Sequence, residues 1–206
     1  MVKMSGPIGL PQVSESSFPV EKAVRGRRSV RKYSEEPLRL FQVSRLLWAA
    51  QGLTEPDKEL RAVPSAGATY PLEVFIVVSR DGVDDLEEGV YRYSVEGHCL
   101  EPLLEGDVSS LLSHAALGQG FVESAPASMV IAAHHDRTTK VYGERGVRYV
   151  HMEAGHAGQS IALQAVALGL STVMVGAFDD ILVKKVLGID RNLEPLYIIP
   201  VGKESV

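Results

Sequence analysis

The chain has 206 residues, of which 45% are apolar and 23% charged, with a formal net charge of −5. That length fills one large domain with a sizeable core, and the acidic balance excludes bulk attraction to nucleic acid or an anionic membrane surface. Cys99 is the single cysteine, which excludes an intramolecular disulfide, a zinc site built on several thiolates and a CxxC redox motif.

Residues 1–18 are rich in Pro, Gly and Ser without periodicity and predict an extended arm ahead of a single domain over 19–206. The N-terminus has no continuous apolar h-region and no later run approaches a membrane span, so a soluble protein in the reducing cytoplasm is expected. Pro19 opens a short helix, PVEKAVRG, with Gly26 expected just past its end as a left-handed cap. There follows RGRRSVRKYSEEPL, which places Arg25, Arg27, Arg28, Arg31 and Lys32 within eight positions. The cluster admits two readings, a solvated basic face or an anion site in which Arg supplies a rigid fork of donors and Ser29 a hydroxyl.

Leu40, Val43, Leu46, Leu47 and Ala50 recur at helical spacing, with Gly52 as a stop. PSAGATYP, residues 64–71, is a loop of small residues between prolines, either a tight connection or a place where a flat ligand approaches exposed backbone. EVFIVVS (73–79) predicts a strand, GVYRYSVEGHCLEPL a hairpin around Glu96-Gly97, and SMVIAAH (128–134) another strand. Over roughly 147–168, Val150, Ala154, Ala157, Ile161, Gln164, Ala165 and Leu168 share one helical face rich in small residues, which fits a central helix or a subunit interface. A short strand STVMVGAF, a helix DDILVKKVLG led by Asp179 and Asp180, and a last strand PLYIIPVG complete the chain. A hairpin and the lack of regular βαβ alternation favour an α+β fold with a central, mostly antiparallel sheet.

No GxxxxGK[ST], GxGxxG or GxSxG is present, which leaves nucleotide cradles and a serine hydrolase unsupported. HMEAGH spaces its histidines by five, on different faces of a helix, whereas HExxH needs four; no metal site is expected, and Glu153 and His156 are expected as packed polar residues of the long helix.

Taken in order, RRSVRKYSEEPL, LLWAAQGLT, PSAGATYPLEVFIVV, GVYRY, YGERGVRYVHMEAGHAGQSIALQAVALGLSTVMVGAFDD and PLYIIPVG resemble the FMN-dependent nitroreductase-like oxidoreductases, in their SagB/ThcOx-type branch, from about Leu10 to Gly202. The resemblance implies a homodimer formed around the long helix, with FMN at the subunit interface. It implies that Arg27, Arg28, Ser29 and Arg31 bind the FMN phosphate and ribityl chain and bring a cation to the pyrimidine edge. Pro64, Ser65 and Ala66 match a loop that contacts the flavin from the other subunit, with Thr69 and Tyr70 nearby, and Val175, Gly176 and Ala177 match the strand end beside the ring. No protein nucleophile is implied, and no catalytic side chain is assigned. NAD(P)H is the implied donor and a nitroaromatic, quinone or similar small molecule the acceptor. Two alternatives stand beside this reading: a flavin-binding carrier with little turnover, and an azoline dehydrogenase acting on a modified peptide.

Two features depart from the family pattern. Many relatives continue to a basic C-terminal segment that helps hold the phosphate, where this chain has GKESV and Lys203 is the basic residue, so more of the phosphate binding is expected to fall on the arginines. Azoline-oxidising members carry an adjacent Lys-Tyr pair where this chain has Val141-Tyr142, with Lys140 one place early. The substrate-facing wall is expected from the variable segments 104–127 and 135–146.

Overall fold

The computed structural model describes residues 6–205. In chain order the elements are β1 (Ile8–Gly9), α1 (Val20–Gly26), α2 (Leu40–Gln51), β2 (Leu53–Glu55), β3 (Leu60–Arg61), β4 (Leu72–Val78), β5 (Gly89–Ser94), β6 (Cys99–Glu105), α3 (Ser109–Ala115), α4 (Gly120–Glu123), β7 (Ala127–Ala133), α5 (His135–Tyr142), α6 (Arg145–Ala167), β8 (Ser171–Thr172), α7 (Asp180–Leu187) and β9 (Glu194–Gly202). Seven strands form one sheet in the order β1-β6-β5-β4-β7-β9-β8, and every pairing between these strands is antiparallel. β2 and β3 form a separate two-stranded ribbon.

The unbroken apolar run of β4 has a simple cause, since both faces of the sheet are covered. Leu72, Val74, Ile76 and Val78 point into a core shared with α2 and α6, whereas Phe75 and Val77 point into a second core closed by α3, α4 and α7. β7 divides its side chains in the same way, with Met129 and Ile131 toward α2 and α6, and Val130 and Ala132 toward the opposite layer. Each fully buried residue of this kind contributes about 1.5–3 kcal/mol of apolar burial, so the sheet is a rigid base for whatever sits along its edges.

The 23-residue α6 crosses the first of these layers. Val150, Ala154, Ala157, Ile161 and Ala165 are buried as the periodicity predicts, and their small side chains bring α6 close to α2 and β9 within this one chain. Gln164 and Leu168 are only half-buried. Glu153 lies on the buried arc, but His156 turns past its edge and is exposed, which corrects the expectation that both pack.

Gly26 also behaves differently from expectation. It is the last residue of α1 rather than a left-handed cap, and the following Arg27 is extended, with φ −58° and ψ 123°. The reason for glycine there is proximity, because a Cβ would stand 3.0 Å from Val166 Cγ1 of α6. STVMVGAF pairs as a strand only at Ser171–Thr172, with one further bridge from Val175 to Ile198. The segments read as variable form α3, α4 and α5. Residues 1–5 of the N-terminal arm lie outside the described residues. The rest of the arm is tied down: Ile8 and Gly9 pair with β6, Leu10 is buried, and the Ser44 hydroxyl donates to Pro11 O.

Candidate functional site

The arginine-rich segment leaves α1 and is sewn along the β8 edge of the sheet. Val30 N–H donates to Thr172 O at 3.1 Å, and Ser29 pairs with Thr172 as a parallel bridge. Farther on, Ser34 N–H donates to Lys203 O and Ser205 N–H to Lys32 O, so residues 203–205 run beside the same segment. Tyr33 fastens it from below. Its buried hydroxyl donates to Val30 O at 2.8 Å and also stands 3.3 Å from Pro200 O, and burial pushes the phenol well above its ordinary value.

These bonds gather Arg27, Arg28, Ser29, Arg31 and Lys203 on one edge. Arg28 and Lys203 line a cleft of about 280 Å³ together with Gly169, Ser171 and Thr172. The four cations are not equally available. Arg28 Nη1 donates to the carbonyls of Arg25 and Arg27 at 2.9 and 2.8 Å, closing the helix exit, and Lys203 Nζ pairs with Glu36 at 2.6 Å. Arg31 is exposed with its guanidinium 5.9 Å from the Phe121 ring centroid. The half-buried Arg27 side chain makes no hydrogen bond or ion pair among the described residues.

The strand end Val175–Ala177 lies on the same side. Val175 is buried and exchanges both backbone hydrogen bonds with Ile198 at 2.9 and 3.0 Å. Gly176 and Ala177 then emerge into solvent, and a Cβ on Gly176 would meet nothing within 4 Å. The loop into α4 joins this strand end to the cations: Gln119 Nε2 donates to Ala177 O at 3.0 Å, and two residues later Phe121 underlies Arg31. Gln119 and Phe121 were invisible to the sequence reading, because nothing in the pattern of residues 104–127 marks them.

The Pro64–Tyr70 loop is elsewhere. Ser65 Oγ accepts from Tyr70 N–H at 3.0 Å, Thr69 Oγ1 donates to Ala66 O and lies 2.8 Å from Thr138 Oγ1, and Arg137 donates to Tyr70 O. Gly67, Ala68 and Tyr70 all adopt left-handed backbone, with φ of 59°, 51° and 43°; glycine does so freely, so the strain is at Ala68 and Tyr70. A Cβ on Gly67 would stand 2.6 Å from the Tyr142 hydroxyl, so Tyr142 covers the loop. The loop packs beside α6 near Glu153, while the Arg28 cleft meets α6 at Ala162 and Val166. Nine helical residues separate Glu153 from Ala162, about 13 Å along the axis. Within one chain the loop and the cations are therefore not brought together.

Beneath the loop lies a polar knot in which Glu153, expected as a packed polar residue, meets Arg61, which no sequence pattern marks. Arg61 Nη1 donates to Gln51 Oε1 at 2.9 Å, and its guanidinium lies 4.4 Å from the Tyr70 ring centroid. Burial lowers its pKa, and nearby Glu73 and Glu153 oppose that shift. Glu153 is pushed up to about 7 by burial, with Ser65 and Arg61 pulling the other way. No cluster of three or more metal-ligating side chains occurs among the described residues. No helix there is long and apolar enough to cross a membrane.

Residues 24–203 match the profile of the Nitroreductase family. A nitroreductase-type protein of Methanocaldococcus jannaschii is 47% identical over 197 residues, covering 96% of each chain. The microcin B17-processing protein McbC of Escherichia coli is 28% identical over 78% of this chain and 61% of its own. Among solved structures, a nitroreductase-type protein from Ralstonia eutropha JMP134 superposes with a TM-score of 0.86 at 25% identity, over 100% of this chain and 93% of that one.

Proposed function

The chain belongs to the nitroreductase family of flavin-dependent oxidoreductases, and from that premise we propose that it carries hydride from NAD(P)H through FMN to a small acceptor such as a nitroaromatic or quinone. The observation that carries this reading is the assembly, on one sheet edge, of Arg27, Arg28, Ser29, Arg31 and Lys203 next to the open backbone of Val175–Ala177.

The residues fit FMN on chemical grounds. A phosphate monoester carries close to two negative charges and three acceptor oxygens, which suits guanidinium forks, a hydroxyl and an ammonium. Arg27, with no protein partner among the described residues, is the donor most available to it. Lys203 can turn from Glu36 to a doubly charged group. At the strand end, Gly176 offers backbone with no side chain between it and a flat ring. Arg31 supplies a cation, steadied by Phe121, where negative charge develops on reduction. Bound FMN supplies the hydride-accepting ring, and the protein supplies orientation and electrostatics.

The loop Pro64, Ser65, Ala66, with Thr69 and Tyr70, enters the reading through a second copy, since its own chain holds it about 13 Å from the cations along α6. Support for such a homodimer comes from exposed apolar side chains on the two helices concerned, Val20 and Val24 on α1 and Val147 and Met152 on α6. At the α1 side a groove of about 630 Å³ is lined by Phe18, Val20, Trp48 and Leu163.

The test is anaerobic mixing of flavin-loaded protein with NADH and NADPH, followed by reoxidation with nitroaromatics and quinones. Bleaching by at least one nicotinamide and recovery by an acceptor are expected. Protein that stays colourless after loading with excess FMN refutes the flavin reading, and bound flavin that neither nicotinamide bleaches leaves a carrier. One observation favours a second reading within the SagB/ThcOx-type branch, azoline dehydrogenation, because Tyr142 stands over Gly67 of the loop. Against it, the neighbouring position is an exposed Val141, and Lys140 is paired with Asp136 at 2.7 Å. Oxidation of a thiazoline-containing peptide by the loaded protein, abolished in Tyr142→Phe, would establish it.

A further inference from the structure

Glu153 is 3% exposed, its Oε1 has no hydrogen-bond partner among the described residues, and it lies on α6, the helix that packs against the Ala66–Ala68 turn. The proposed hydride transfer makes no use of it. We infer that Glu153 is a positioning residue for the Pro64–Tyr70 loop, neutral when the loop is closed over α6 and, once ionised, favouring an opened loop that hydrates the carboxylate.

The sign follows from which effect wins. The Ser65 hydroxyl and the Arg61 guanidinium both favour the ionised form, yet burial outweighs them and holds the carboxyl at about 7 against an ordinary 4.5. The closed loop therefore binds a proton more tightly than an opened one, whose carboxyl would titrate near its ordinary value. By linkage, closure is strongest below about 4.5, weakens as pH rises toward about 7, and is constant above that. Opening releases Tyr70 N–H from Ser65 Oγ and relaxes Ala68 and Tyr70, both held in left-handed backbone, against the ties from Thr138 to Thr69 and from Arg137 to Tyr70 O.

Other charged groups surround the carboxyl. Arg61 faces it from β3, and around Arg61 stand Tyr70, Glu73 of β4 and Arg137 of α5. On α6 itself His151 and His156 are exposed, and His135 of α5 packs edge-on against His151. Replacing Glu153 alone leaves these other side chains in place, though Arg61 loses a neighbouring carboxyl.

The experiment is hydrogen exchange on the flavin-free chain, with protection factors corrected for intrinsic chemistry, for the peptide containing Tyr70. Between pH 5 and 7.5 the wild type should lose protection on the order of 10- to 50-fold, the upper figure applying to full hydration of the opened state. Glu153→Gln should show no such slope. Arg61→Met, which removes a cation favouring ionisation and leaves the Tyr70 N–H bond to Ser65 Oγ in place, should move the midpoint upward and serves if the glutamine variant does not fold. A flat wild-type profile, or the same slope in Glu153→Gln, overturns the inference. The consequence for FMN rests on the functional reading above: affinity should fall over the same window in wild type but not in Glu153→Gln, beyond the effect of the phosphate's own ionisation near pH 6, which is common to both. Exchange that follows the expected pattern without that difference in FMN affinity overturns the link to flavin, and failure of both proteins to bind FMN counts against the functional reading instead.

Discussion

Arg27→Ala tests the anion site most directly. The side chain is half-buried at the exit of α1 and makes no hydrogen bond or ion pair among the described residues, so its removal leaves no protein group stranded. What disappears is one charge-assisted interaction with the phosphate, about 1.5–3 kcal/mol. That corresponds to a loss of FMN affinity of roughly 10- to 150-fold. Arg28→Ala should divide its effect differently, because that guanidinium already donates to the Arg25 and Arg27 carbonyls. It should lower the stability of the flavin-free protein by about 0.5–1.5 kcal/mol, whereas Arg27→Ala should leave it nearly unchanged. Arg25→Ala, outside the matched positions, is the control. The assay is fluorescence titration of FMN at two salt concentrations, with urea unfolding of the flavin-free variants. Wild-type affinity in Arg27→Ala, or an equal loss in Arg25→Ala, refutes the assignment.

Gly176→Ala should change stability by less than about 0.5 kcal/mol, since the added methyl meets nothing within 4 Å, while weakening FMN binding; unchanged affinity by titration would remove the strand end from the site. Tyr33→Phe should cost about 1 kcal/mol in urea unfolding by deleting the hydroxyl that holds Val30 O, and FMN affinity should fall with it as the arginine segment loosens. For Glu153 the raised carboxyl means that its contribution to stability is complete below about pH 4.5 and is lost as pH rises through about 7. Glu153→Gln should therefore gain on wild type by up to about 2–3 kcal/mol between pH 5 and 7.5. Parallel stability curves for the two proteins would show that the carboxyl is not held neutral by burial.

Much of this molecule was legible in local pattern. The helical recurrence of Leu40 to Ala50 became α2, the apolar run after Pro71 became the doubly covered β4, and Glu96-Gly97 sits in the turn between β5 and β6. The arginine cluster, the small-residue loop and the Gly176 strand end could be picked out because each carries an unusual composition. Gln119, Phe121 and Arg61 could not, since each is an ordinary residue whose part is set by a partner distant in sequence; Glu153 was legible as a packed polar residue of the long helix, but not its place beneath the loop.

By itself the sequence determined the α+β class, the buried face of α6 and the residue types able to hold an anion and a flat ring, because periodicity and side-chain chemistry are local properties. Only the tertiary structure decided which of those residues are neighbours. It joined the Arg27–Arg31 segment to Thr172 and to the residues around Lys203 by backbone hydrogen bonds, reached Ala177 through Gln119 and Phe121, and set the Pro64–Tyr70 loop about 13 Å away along α6. It also decided which cations already have partners and which carboxyl is dry, since pairing and burial depend on what the folded chain places around a group and not on the group's own position in the sequence.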